Sequence, residues 1–124
     1  MSNVNEKEQL QLAVHNFRAW ADASFPAERF GEWETEYDDW ENLHLAATAV
    51  LRCETDAWDS ETKELLLFVI ARDNEVEFIA GLLTERQCLL LAEASIHSDQ
   101  HDAKWQLAVR LANFRCRWVL SRFS

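Results

Sequence analysis

Two glycines and one proline in 124 residues leave this chain almost no means of making the tight turns a β-sheet needs. They are Gly31, Gly81 and Pro26. No segment alternates polar and apolar side chains over a strand's length, whereas spacings of three and four residues recur from end to end. An all-α fold follows, a compact single domain over residues 1–124 made of about six helices, as helical hairpins in a stacked or bundle arrangement. The composition, 48% apolar with six Trp and seven Phe, is enough for a substantial core.

Residues 4–24 place Leu10, Ala13, Phe17 and Trp20 on one face, and that helix is expected to stop before Pro26. A short element after Pro26 is expected, since proline suits a first helical turn. A second helix is predicted over 36–52, with Trp40, Leu43, Ala47, Val50 and Leu51 inward. Residues 54–60 read as a polar loop, with Asp59 or Ser60 capping the next helix. The core of that helix, residues 65–71, is apolar on every side and also fits a buried strand. Its polar flanks and the lack of a partner strand favour a central buried helix. Asn74 with Glu77, and Thr84 with Gln87, have the spacing of a capping box and mark two helix starts. Between them lies a short helix over 76–83, in which Gly81 signals close packing or a helix end. Residues 85–97 form a further helix. The last begins at Asp99 or Asp102 and runs to about 121. Its inward face is expected to carry Trp105, Ala108 and Ala112, with Leu107, Leu111, Phe114 and Trp118 on the adjoining stripe.

Charge is high and unevenly placed. The net charge is −10 and the pI about 4.7, a balance that repels nucleic acid and anionic membranes and attracts basic proteins. Residues 28–64 hold twelve acids, against Arg29, Arg52 and Lys63. Seven of the fourteen residues from 28 to 41 are carboxylates. Within them Phe30, Trp33, Tyr37 and Trp40 fall on one face of a helix, so acid and aromatic surface arrive together. Such a stripe is ordinarily core, with the acids solvated opposite. The two roles coexist if Phe30 and Trp40 are interior while Trp33 and Tyr37 sit at the rim. The candidate partner-binding residues are therefore Glu32, Trp33, Glu34, Glu36, Tyr37, Asp38, Asp39 and Glu41, facing a basic protein.

Signatures of catalysis are missing. The sequence contains no Gly-x-Gly or Walker-type phosphate loop and no Gly-x-Ser-x-Gly elbow, so no enzyme activity and no cofactor is expected. Glu41-x-x-His44 has the spacing used in di-iron bundles, but Glu93 and His97 are four apart and do not supply the second pair. His97, Asp99, His101 and Asp102 offer zinc-type ligands in a segment that also reads as an ordinary capped turn. His15 reads as a surface or boundary side chain. Cys53, Cys88 and Cys116 are widely spaced and read as free thiols in a reducing cytoplasm. The polar N-terminus is unlike a targeting peptide, and the apolar run 65–71 is too short to span a bilayer. Arg110, Arg115, Arg117 and Arg122 make the final helix basic, which suits a helix C-terminus and the acidic faces of the same domain better than nucleic acid.

A loose internal repeat is present. Leu43-His-Leu-Ala-Ala, Leu65-Leu-Leu-Phe-Val and Leu89-Leu-Leu-Ala-Glu open similar helices, each followed by an Asp-bearing loop at Asp56, Asp73 or Asp99. Over residues 40–120 this resembles short HEAT-type helical repeats, whose units bury their faces against neighbours, so the hairpins are expected to stack in a HEAT-like or bundle arrangement. That resemblance implies an adaptor or assembly subunit that binds a peptide or protein through those loops. In small size, acidity and lack of catalytic residues the chain resembles, by type, the cytoplasmic immunity proteins of bacterial toxin systems. The implication is a module that blocks the active site or exosite of a cognate toxin, with acids taking the place of phosphates if the toxin is a nuclease.

Overall fold

The computed structural model describes residues 5–26, 29, 33–73 and 78–123, with side chains as far as 114. Among the described residues six α-helices follow one another: α1 (Glu6–Ser24), α2 (Trp40–Leu51), α3 (Ser60–Arg72), α4 (Phe78–Leu82), α5 (Glu85–Ser95) and α6 (His101–Phe123). Trp33–Glu36 and Thr55–Ala57 are short 3-10 turns, and no strand occurs among the described residues. The expected all-α class is what the chain adopts.

Local chemistry sets the helix starts. Asn5 Oδ1 accepts the Glu8 N–H at 2.9 Å at the head of α1. Asp59 Oδ1 accepts both the N–H and the hydroxyl of Thr62 at 2.8 Å, so Asp59, not Ser60, caps α3. Thr84 and Gln87 form the complete capping box at the head of α5. Each satisfies donors that a helix's first turn leaves open.

α3 is the hub. Residues 66–71 are all buried, so the helix needs apolar neighbours around its whole circumference, and α1, α2, α4, α5 and α6 all pack against it. α1 pairs with α2 and α5 with α6, giving two hairpin-like layers across the central helix. Of the expected arrangements, a bundle about one helix describes these contacts directly. Side-chain amides tie the layers together. Gln106 Nε2 donates to Ile70 O at 2.7 Å, and Gln87 Nε2 donates to Leu51 O at 2.8 Å. Both carbonyls lie in the last turns of their helices, where no helical N–H reaches them.

At one end of the core the residues are aromatic. Phe17 is 1% exposed, and the rings of Trp20, Trp33, Tyr37, Trp40 and Phe68 lie 4.9–5.9 Å from its own.

Several expectations need correction. α2 starts at Trp40, because Asp38 and Asp39 form a turn rather than continuing a helix back to 36. The polar loop 54–60 conceals Trp58, which is 5% exposed and donates its indole N–H to Val50 O at 3.2 Å. Gly81 is not a close-packing site, since a Cβ there would meet nothing within 4 Å, and it sits at the end of α4. Trp105 is 66% exposed rather than inward; α6 buries Ala103, Gln106 and Leu107 instead. The Asn74–Glu77 capping box, Phe30, Cys116 and Trp118 lie outside the described residues or side chains.

Phe17→Ala should destabilise the fold by about 3–5 kcal/mol, since it empties the centre of the aromatic group. Thr84→Ala should remove about 1 kcal/mol through loss of the cap alone. Urea unfolding followed by circular dichroism measures both.

Candidate protein-binding surface

Residues 33–41 do not make the single helical stripe that their spacing suggests. The 3-10 turn Trp33–Glu36 is followed by Tyr37, a tight turn at Asp38–Asp39, and then α2. Aromatic side chains hold this segment down at three points. Trp33 stacks on Trp20 with centroids 6.0 Å apart and planes 13° apart. Tyr37 meets Phe17 edge-on at 4.9 Å. Trp40 packs 5.5 Å from Phe17 and donates its indole N–H to Glu34 O at 2.9 Å. A segment fixed at both ends and its middle carries its carboxylates as a rigid array.

The eight candidate residues separate into different roles. Glu36, Asp38, Asp39 and Glu41 are exposed, and among the described residues no cation lies within 4.0 Å of any of them. Glu41 lies in the first turn of α2, where the helix dipole favours a carboxylate. Trp33 is half-buried, with the Arg29 guanidinium 5.0 Å above its ring. Glu32 lies outside the described residues. Tyr37, expected at the rim, is 8% exposed and belongs to the core. Burial raises the pKa of its phenol, and the fields of Asp39 and Asp38 add to the rise.

Glu34 is the larger surprise. Counted with the surface acids, it is only 7% exposed, and its Oε2 is buried without a hydrogen-bond partner among the described residues. The 3-10 turn and the turn at Asp38–Asp39 break the single helical register, and Glu34 lies on the buried side of the segment.

The fragments read as possible metal ligands take other roles. His44 Nε2 lies 3.3 Å from Asp73 Oδ2, with the imidazole between Trp40 and Phe78 at 5.3 and 4.8 Å. The same Asp73 oxygen accepts the N–H groups of Phe78 and Ile79, which starts α4. Asp73 is 5% exposed, so this member of the three repeat loops is interior rather than available to a partner. Ser98 Oγ bridges Glu64 and the Gln100 N–H at the entry to α6. Among the described residues no three His, Cys, Asp or Glu side chains group as metal ligands. Cys88 is buried and Cys53 half-buried, and burial raises the pKa of both thiols. The His44–Asp73 pair, 29 residues apart, has no spacing signature that sequence reading could have used.

Burial is the main influence on Glu34 and raises its carboxyl pKa, a backbone hydrogen bond and the Arg72 charge opposing it and Asp102 adding to it. A carboxyl with a raised folded-state pKa supports the fold fully below its unfolded pKa, near 4.3, and that support is lost as pH rises through the folded value. Glu34→Gln should therefore raise the urea midpoint relative to wild type at pH 7, with the gain shrinking toward pH 4. A constant difference across that range would contradict this assignment. Compared with known proteins, the chain matches no protein-family model, no curated protein and no solved structure.

Proposed function

We propose that this chain is a non-enzymatic, acidic protein-binding module of the immunity-protein type, which neutralises a basic bacterial toxin domain in the cytoplasm. The observation that carries the reading is the group Glu36, Asp38, Asp39 and Glu41, without an ion-pair partner among the described residues, on a segment anchored by Trp33, Tyr37 and Trp40. Unpaired carboxylates at fixed positions attract a basic partner and orient it as it approaches. Carboxylates can also take the place of phosphates in a basic cleft, as would be needed if the toxin is a nuclease. Glu34 and Tyr37 take no part in contact and act as the interior supports of the array. Among the described residues no helix is long and apolar enough to cross a membrane, which is compatible with such a role.

The helical-repeat adaptor is the competing reading, and it draws less support. It requires the loops at Asp56, Asp73 and Asp99 to share a contact surface, whereas Asp73 is engaged inside the fold.

The test is a four-site charge reversal, Glu36→Lys, Asp38→Lys, Asp39→Lys and Glu41→Lys, compared with wild type in capture from native-cell extract at low and high salt. Wild type should retain a basic protein whose capture weakens steeply with salt. The reversed protein should lose it while keeping its helical circular dichroism. Unchanged capture with unchanged salt dependence would sink the assignment. Loss of binding on reversing Asp56 and Asp99 instead would favour the adaptor.

A further inference from the structure

Three guanidinium groups meet at one concave place on a protein whose net charge is −10. Arg18 of α1, Arg72 at the end of α3, and Arg29 line a pocket of about 260 Å³, whose wall also includes Asp22, Trp33, Phe68 and Gln100. Each guanidinium lies over an aromatic ring. Arg18 and Arg72 are 4.6 and 4.8 Å from the Phe68 centroid, and Arg29 is 5.0 Å from that of Trp33. A guanidinium held over a ring keeps its N–H donors around its edge, in a plane suited to an oxyanion.

The charges here are poorly matched by the chain's own acids. Arg29 donates to Asp22 Oδ1 at 2.8 Å and to Phe25 O at 2.9 Å. Among the described residues no carboxylate lies within 4.0 Å of Arg18 or Arg72. Arg72 is half-buried, and burial is the main influence lowering its pKa; the fields of Arg18 and Arg29 act in the same direction, those of Glu34 and Asp102 against it. Glu34 itself is shifted toward its neutral form by burial. Like charges gathered in a hollow favour binding of an anion, which relieves their mutual repulsion and gives each guanidinium a charged acceptor.

We propose that this pocket is a binding site for a small oxyanion, held by Arg18 and Arg72 with Arg29 at its edge. The site does not depend on the acidic surface or on the reading given to it. Phosphate and carboxylate groups share the required chemistry, and the two are separated by probe.

The experiment titrates the full chain with inorganic phosphate and, separately, with malonate at constant ionic strength, following arginine Nε and indole Nε1 resonances by NMR. Saturable shifts are expected at Arg18, Arg72 and Trp33, with Trp58 and Trp105 unmoved. Arg72→Gln should weaken apparent affinity about tenfold, the worth of one charge-assisted bond. Arg18 is exposed, so Arg18→Gln gives an independent reading if the Arg72 variant fails to fold. A response to either probe supports the site and identifies the preferred group. Linear, unsaturated shifts with both probes, or equal affinity in the Arg18→Gln protein, overturn it. Saturation that appears only in Glu28→Gln/Glu32→Gln protein also overturns it, since the guanidinium groups would then belong to the chain's own carboxylates.

Discussion

The contact between Phe17 and its ring of aromatic neighbours is the one on which this end of the molecule depends. Trp20 and Trp33 reach it from one side, Tyr37 and Trp40 from another, and Phe68 brings in the central helix. Residues 33–39 make no regular helix and would otherwise have only a few backbone hydrogen bonds to hold them. Tilted and edge-on rings favour particular angles, so the group fixes direction as well as position. The acidic turn and the arginine-lined pocket are both consequences of that anchoring. One lies just beyond Tyr37, and the other shares Phe17, Trp33 and Phe68 as walls.

Opposite charges are thus kept apart on neighbouring surfaces of a small fold. Glu36, Asp38, Asp39 and Glu41 stay exposed, while Arg18 and Arg72 rest on Phe68. Interior polar groups meet a different requirement. Gln87, Gln106 and Trp58 each cross between elements to a backbone carbonyl in the last turn of a helix. Glu34 departs from that rule, with one carboxylate oxygen lacking a partner among the described residues. Its backbone carbonyl, by contrast, accepts the Trp40 indole N–H at the head of α2.

Much of the architecture was legible in the order of residues. Leu10, Ala13 and Phe17 marked the inner face of α1, the fully apolar run in α3 marked the hub, and Thr84 with Gln87 marked the head of α5. These signals are local, carried by side chains within one or two helical turns. Trp105 shows where such reasoning stops. Its stripe is as apolar as the neighbouring one through Leu107, and only the placement of α3 and α5 decides which faces inward. In the candidate site the exposed acids were legible, while Glu34 and Tyr37 were assigned to the wrong side of the surface, because residues 33–39 do not hold one helical register and packing sets which side chains turn inward.

The sequence by itself determined a helical chain, its caps, its central apolar helix and an acidic segment rich in aromatics, since periodicity and capping act over a few residues. Tertiary structure alone decided which of those acids remain on the surface, that His44 faces Asp73, and that Arg18, Arg29 and Arg72 share one pocket. Those outcomes join residues from different helices, and their relative placement follows from packing around Phe17 and α3 rather than from any local spacing.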